Sequence, residues 1–440
     1  MIENDARIAI VGLGTVGSGV AEILTQHADR MRRHAGKSMQ LARVVVRDAS
    51  KPLRYPVDSK LVTDDIESLI EDRDIDVVAQ LIGGLEPART IMLRLLESGK
   101  DIVTANKALL AEHGPELFDR ARELGRSIAF EASVAGGVPI ISNLSQCLSA
   151  NQVTSLRGIL NGTSNFIVSQ MEEQGQSYER AVRLAQEKGF AEADPTMDVD
   201  GTDAAQKLAI LAHLTCGAHV DWRKIPRVGI DQLQPSDLNW AGELGYRIKL
   251  LAVAKLNDDQ HVELHVSPTL VKIGTPLAEV RGANNAISAL GDMLGRAFFH
   301  GLGAGRLPTA SAVVADLIDT VIGRASLTFR TLDLWSENRP PAVMADPAKT
   351  HGRFYLRFSV EDHPGVLARI TSCLGDHQIS ITSVIQPEHP ESSDASQDTE
   401  TVSLVMMTHS AAEGQLKAAL EQLNKLDIMR AKSVSMRVLD

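Results

Sequence analysis

Cysteine is scarce in this chain. Cys147, Cys216 and Cys373 are the only three in 440 residues, they lie far apart, and none belongs to a CxxC pair. That excludes a disulfide framework and a cysteine-based zinc site. Long apolar runs are missing too: nothing approaches the ~18 residues that a membrane span needs. The first residues, Met-Ile-Glu-Asn-Asp, lack the basic and apolar regions of a signal peptide, so a cytoplasmic protein with no membrane contact is expected. Positive charge is in deficit, with 45 Lys and Arg against 56 Asp and Glu, a formal net charge of -11. With no basic stripe interleaved with aromatics, no nucleic-acid surface is expected.

What is present is an ordinary globular composition, 44% hydrophobic and 23% charged, long enough at 440 residues for two or three domains. Arg7–Val11 predicts a buried strand feeding Gly12-Leu13-Gly14-Thr15-Val16-Gly17, and Val16, Val20, Ile23 and Leu24 then repeat at helical spacing. Strand, glycine turn and helix start in that order form a dinucleotide fingerprint, in which glycine lets the backbone approach a pyrophosphate at a helix N-terminus. The second strand, Leu41–Val46, ends in Arg47-Asp48. An acid there departs from the simple NAD spacing; Arg47 suits a 2′-phosphate and favours NADP, while Asp48 leaves NAD open.

The alternation continues through the strand Asp76–Gly83, a helix near residues 86–98, the strand Asp101–Lys107, a helix near 108–124 and the strand Ser127–Glu131. This predicts a doubly wound α/β domain over residues 1–135. Gly83 and Lys107 fall at strand carboxyl ends, where such sheets bind ligands. Lys107 also suits a solvent lysine at a helix start, but its place favours a cofactor or substrate contact. Residues 136–308 read as a mixed α+β domain with a sheet of its own. It carries a helix near 140–149, the short strand Leu156–Leu160 ended by the polar turn Asn161–Asn165, a helix near 177–188, and a hairpin of Tyr246–Leu256 with His261–Leu270. The amides of Gly162 and Thr163 in that turn suit a substrate carboxylate, and an ordinary turn accounts for the same residues nearly as well. Apolar residues 310, 313, 314, 317, 318 and 321 predict a helix over 309–323 that starts at Pro308 and returns to the first domain. A proline-bearing linker is expected over 335–352. Residues 353–440 then run in βαββαβ order, a ferredoxin-like unit, with an acidic loop at 387–400.

The densest chemistry lies in residues 192–207, Glu-Ala-Asp-Pro-Thr-Met-Asp-Val-Asp-Gly-Thr-Asp-Ala-Ala-Gln-Lys. Five acids, Glu192, Asp194, Asp198, Asp200 and Asp203, lead into a helix apolar on nearly every side, where Asp203 and Lys207 share a face four residues apart. A surface pair of this kind contributes only ~0.3–0.5 kcal/mol. An all-round apolar helix is usually buried, however, and a buried lysine beside clustered carboxylates is costly and often sits at an active site. A calcium loop fails, because Asp198, Asp200 and Gly201 in the third, fifth and sixth places put Lys207 where a bidentate Glu is required.

Together these motifs resemble homoserine dehydrogenase across nearly the whole chain. Its carriers are Gly12–Gly17, Thr104-Ala-Asn-Lys107, Glu131-Ala-Ser-Val-Ala-Gly-Gly-Val-Pro139, Gly158–Thr163, the 192–207 stretch, and Gly303-Ala-Gly305-Arg-Leu-Pro-Thr-Ala310. The tail resembles an ACT domain, a regulatory module that commonly binds amino acids. The resemblance implies NAD(P)-linked interconversion of aspartate 4-semialdehyde and homoserine, a homodimer or homotetramer, and threonine as effector. By matching position it makes Lys207 the acid/base, Asp203 its supporting carboxylate, Lys107 a lysine between cofactor and substrate, and Glu192 the ligand of the substrate ammonium. Asp198 joins the substrate side and Gly305 the cofactor side. The Glu131 segment is similar to a structural sodium site using backbone oxygens of Val134, Gly136 and Val138. Two rivals remain: a semialdehyde dehydrogenase acting through Cys147, and a non-catalytic NAD(P)-binding sensor.

Overall fold

The computed structural model describes residues 5–217, 220–257, 259–332, 336, 342–386 and 401–439. The first sheet contains β1 (Ala6–Val11), β2 (Met39–Val45), β3 (Val62–Thr63), β4 (Val77–Gln80), β5 (Asp101–Thr104) and β6 (Ile128–Ala129). Its order is β3-β2-β1-β4-β5-β6, and every pairing is parallel. Parallel strands covered on both faces need near-continuous apolar runs, and Ile8, Ala9 and Ile10 of β1 are wholly buried. Chain order reverses between β1 and β4, so their carboxyl ends open the crevice in which such sheets bind ligands.

The helix Thr15–Gln26 follows β1, and a distant helix, Arg306–Val321, lies against it. Val20, Ala21 and Leu24 share a core with Ala310, Val313 and Leu317. The backbones approach so closely that a Cβ on Gly19 would stand 2.7 Å from the Arg306 carbonyl oxygen. This later helix begins at Arg306, not at Pro308. The proline falls within the first turn, where its missing N–H would have had no partner anyway.

The second sheet holds β7 (Val153–Ile159), β8 (Tyr246–Leu256), β9 (Val262–Lys272), β10 (Asn284–Gly291), β11 (Gly295–Leu302), β12 (His351–Glu361), β13 (Ile381–Ile385), β14 (Thr401–Thr408), β15 (Ala411–Ala412) and β16 (Val434–Leu439). Its order is β11-β10-β7-β8-β9-β16-β12-β14-β13, with β15 paired to β12. The middle region therefore does not keep a sheet to itself. β16 of the βαββαβ tail pairs in parallel with β9, Arg437 opposite Thr269 and Leu439 opposite Val271. Edge pairing of this kind satisfies backbone groups that both sheets would otherwise leave exposed. Alternation along β12 gives each face its own core: Phe354, Leu356, Phe358 and Val360 pack on the tail's two helices, while Tyr355 joins the main core of the middle region.

Two local expectations change. Residues 140–149 form a short helix, Ile140–Ser142, followed by a π turn, Asn143–Cys147. The polar stretch after β7 is not a free turn but the start of a helix, Gly162–Gln174, capped by Asn161, whose side chain accepts from the Ser164 N–H. Short Gly, Thr, Ser and Asn residues imitate a turn in sequence because those residues also cap helices. Of the expected linker, 335 and 337–341 lie outside the described residues, as does the acidic loop 387–400. Residues 343–345 run beside β9, with Val262 N donating to Val343 O and Ala345 N to Val262 O at 2.9 Å. No described helix is long and apolar enough to cross a membrane.

Candidate active site

The helix Thr202–Cys216 buries all but three of its fifteen residues, so its two charges enter the interior together. Lys207 Nζ donates to Asp203 Oδ2 and to the Leu160 carbonyl oxygen, each at 2.8 Å. Lys107 Nζ reaches the other oxygen, Asp203 Oδ1, at 2.9 Å. Asn161 Nδ2 completes the cluster, donating to Asp203 Oδ2 at 2.8 Å and to Asp198 Oδ1 at 2.7 Å. One carboxylate thus bridges two ammonium groups from different parts of the fold. Lys107 opens the helix that follows β5, and Lys207 comes from the middle region.

Burial alone would push the Asp203 carboxyl upward, but Lys207 and then Lys107 outweigh it and hold it well below the usual carboxylate range. Asp203 in turn raises Lys107 against the opposing effect of burial, with Asp198 and Glu192 adding to the rise. Asp198 is pushed up, chiefly by burial. The surface-pair alternative for Asp203 and Lys207 does not survive, since their side chains are only 6% and 13% exposed.

The remaining acids divide by geometry. Glu192 is exposed. Asp194 Oδ1 accepts from the Thr196 N–H at 3.1 Å. Asp200 Oδ1 accepts from the Thr202 N–H at 2.7 Å, steadying the start of the lysine helix. Thr163 donates its hydroxyl to Phe190 O at 2.7 Å, and Gly162 packs where a Cβ would come 2.6 Å from Ala283 O. Sequence reasoning missed Asn161 as a brace and Asn285, whose Nδ2 donates to the same Leu160 oxygen at 2.9 Å. Asn161 carried a signal, a cap residue directly after a strand. Asn285 carried none, being 125 residues from its partner.

At the crevice, Gly12 has a φ of +99°, and a Cβ on Gly17 would overlap the Gly12 carbonyl oxygen. The turn Gly12-Leu13-Gly14 thereby closes on the N-terminus of Thr15–Gln26, where Thr15 and Val16 supply the first helical amides. This cradle fits a pyrophosphate. Gly17→Ala is expected to strain that turn by about 1–3 kcal/mol and weaken cofactor binding by roughly tenfold. Fluorescence titration with NADPH checks it, and unchanged affinity would count against the cradle. Arg47 is exposed after β2, and Gly83 is exposed beyond β4. Asp48 turns onto its own chain, accepting from Ser50 N at 3.1 Å and Ser50 Oγ at 2.6 Å. Arg54, also unforeseen, donates from Nη1 to Thr15 Oγ1 at 2.7 Å. Gly305, at φ +130°, caps the returning helix.

The Glu131 side chain is buried and committed: its oxygens accept from Ile141 N and Ser142 N at 2.8 Å and from the Ser142 hydroxyl. Its backbone N–H donates to the buried Asp316 at 2.8 Å. Beyond it, Ala135 takes a positive φ of 52° and Gly136 backs onto Gly303 and Thr309. Val138 O accepts from Ile140 N. Among the described residues no three His, Cys, Asp or Glu side chains gather as a metal cluster. Cys147 is exposed.

Three family models match in succession: a homoserine dehydrogenase NAD-binding domain over residues 12–131, homoserine dehydrogenase over 139–318, and an ACT domain over 354–427. The chain is similar to a homoserine dehydrogenase of Pseudomonas aeruginosa, 40% identical, with 98% of each chain covered. A solved homoserine dehydrogenase from Thiobacillus denitrificans superposes with a TM-score of 0.89 at 37% identity, covering 99% of both chains. A hyperthermophilic archaeal homoserine dehydrogenase mutant solved with NADPH gives 0.61 at 25% identity, covering 74% of this chain and 98% of that one.

Proposed function

The chain belongs to the homoserine dehydrogenase family, and from that premise we propose that it reduces L-aspartate 4-semialdehyde reversibly to L-homoserine, with Lys207 handling the proton. The observation that carries this reading is the Asp203 carboxylate shared by Lys207 and Lys107. An ammonium has three N–H donors. Asp203 and Leu160 O occupy two on Lys207, which leaves one for the substrate carbonyl oxygen. There Lys207 polarises the carbonyl and passes its proton to the forming alkoxide. In the reverse direction it takes the hydroxyl proton back. Asp203 and Asn161 fix its position, and Lys107 stands at the β5 end between the cofactor crevice and the substrate. A bound nicotinamide supplies the hydride.

Substrate recognition follows from charge. Glu192 and Asp198 take the ammonium side. The backbone amides of Gly162 and Thr163, first-turn donors without a partner in their own helix, take the carboxylate. Gly12 through Gly17, with Gly83 and Gly305, form the cofactor's walls. A structural sodium ion would rest on backbone oxygens of Val134, Gly136 and Val138 beside Glu131, a hard oxygen set suited to such a cation. The deciding assay is homoserine oxidation followed at the nicotinamide band with each cofactor. No turnover with either would overturn the reading.

NADP is the preferred cofactor in this proposal. The Asp48 carboxylate is engaged by Ser50, while Arg47 and Arg54 stand near the fingerprint, Arg54 touching Thr15. Arg47→Ala with Arg54→Ala is expected to raise the NADPH KM about tenfold or more, the loss of charge-assisted phosphate contacts, and to leave the NADH KM nearly unchanged. Equal losses with both cofactors would defeat the 2′-phosphate assignment. Threonine inhibition through the ACT unit, and a dimer or tetramer in a cytoplasmic setting, complete the proposal.

A further inference from the structure

Of the three N–H groups on the Lys207 ammonium, one goes to Asp203 Oδ2 and one to the Leu160 carbonyl oxygen, each at 2.8 Å. The direction of the third is therefore fixed only as firmly as those two acceptors are. Asp203 is steadied by Lys107 and Asn161. Leu160 has no ladder or helix to steady it, because it lies past the last residue of β7 and before the cap Asn161. Among the described residues its carbonyl accepts from two side chains, Lys207 and Asn285.

Asn285 is built into that place. It belongs to β10, opposite Gly301 of β11, and is wholly buried. The segment before it is pinned twice. Lys249 of β8, itself buried, donates from Nζ to Val280 O at 2.6 Å, and Asn165 Nδ2 donates to Gly282 O at 2.8 Å. The Asn285 side chain is wedged between two glycines: a Cβ on Gly303 would overlap its Oδ1, and one on Gly162 would stand 3.2 Å from it. That oxygen is buried without a hydrogen-bond partner. An unpaired buried acceptor costs stability, so an apolar side chain of similar size would serve packing better. What the amide adds is its Nδ2 bond to Leu160 O, at 2.9 Å.

We propose that Asn285 is a positioning residue for the proton transfer: through the Leu160 carbonyl it fixes the direction of the free N–H of Lys207. This rests on the reading of Lys207 as the acid/base. A carbonyl oxygen has two lone pairs. With Nδ2 on one, the ammonium is held to the other, and its remaining N–H keeps one line toward the substrate carbonyl. After the proton has left, Asn285 still holds the carbonyl in place for its return. Without the amide, the peptide between β7 and the cap is free to turn, and a displacement of about 1 Å can cost ~10²-fold in rate.

The test is a double-mutant cycle on the full-length protein, with homoserine oxidation rates measured beside an NADPH titration. Asn285→Ala deletes the amide, and Asn285→Leu replaces it by an apolar branch of similar size. Each is expected to lower kcat by about 10–100-fold while the NADPH Kd stays within about twofold. In a Lys207→Ala background the same changes should slow the residual rate by no more than about twofold, because a brace does nothing once the group it aims is gone. A merely structural role would instead give losses that multiply in that background. Multiplying losses overturn the proposal, as do rates within about twofold of wild type in both variants, or NADPH binding lost in both, since the amide then serves the fold. The two readings fail separately. Near-normal turnover in Lys207→Ala removes the acid/base assignment itself; a slow Lys207→Ala beside unaffected Asn285 variants removes this inference alone.

Discussion

Lys207→Ala is expected to lower kcat for homoserine oxidation by about 10²–10⁴-fold, the usual contribution of a positioned acid or base, with NADPH affinity unchanged. Lys207 lies on Thr202–Cys216, whereas the cofactor cradle is built by β1 and the helix Thr15–Gln26, so the deletion leaves that cradle intact. Lys107 would still neutralise Asp203 across its 2.9 Å contact, so the buried carboxylate keeps one partner. Lys207→Arg is expected to remain nearly as slow. A guanidinium holds its proton too firmly to cycle it. Steady-state rates beside a direct NADPH titration check both variants. Near-normal kcat in Lys207→Ala would remove this residue from the proton's path and leave Lys107 as the only ammonium on Asp203.

The pH behaviour of this cluster follows from Asp203. Its folded-state pKa is depressed, so its contribution to stability is fully present above the unfolded carboxylate value, near ~3.9, and is lost only as pH falls through the lower folded value. Lys107 is shifted the other way, upward. The pair therefore keeps its charges across the whole neutral range.

Why some of this was legible in the sequence and some was not is a matter of distance along the chain. β1, its glycine turn and the following helix are one local unit, and their residue types announce them. Asp203 and Lys207 are four apart on one helix, so their meeting follows from helical spacing alone. Lys107 and Asn161 meet Asp203 from 96 and 42 residues away, and no local pattern encodes that. The merger of two sheets through β16 and β9 was likewise invisible. Each strand carries apolar residues that suit a sheet, but nothing in alternation names the neighbour. The helix Gly162–Gln174 was hidden because Asn161, Thr163 and Ser164 read as a turn until the cap is seen.

The same merger makes Asp237 the residue whose loss should cost most stability. It is fully buried, and its two oxygens receive four donors: Arg357 Nε at 2.7 Å and Tyr355 Oη at 3.0 Å on one, Arg357 Nη2 at 3.2 Å and the Gln234 N–H at 3.0 Å on the other. Arg357 and Tyr355 belong to β12 of the ACT unit, Asp237 to the helix Pro235–Glu243 of the middle region. Asp237→Ala leaves a guanidinium and a phenol buried without their acceptor and opens the helix cap, a loss of about 3–5 kcal/mol. Against a typical total of ~5–15 kcal/mol, that should move the urea midpoint plainly. The cause can be isolated: replacing the cluster together, Asp237→Leu with Arg357→Met and Tyr355→Phe, removes the stranded charge along with its partner and should recover most of the loss. A triple variant as unstable as Asp237→Ala would mean that shape, not unpaired charge, governs the junction. Because β12 lies at the centre of the ACT sheet, with Phe354 and Leu356 in one core and Tyr355 in the other, the ACT unit should lose its structure in the same transition as the middle region. Two separate transitions in wild-type denaturation would contradict that coupling.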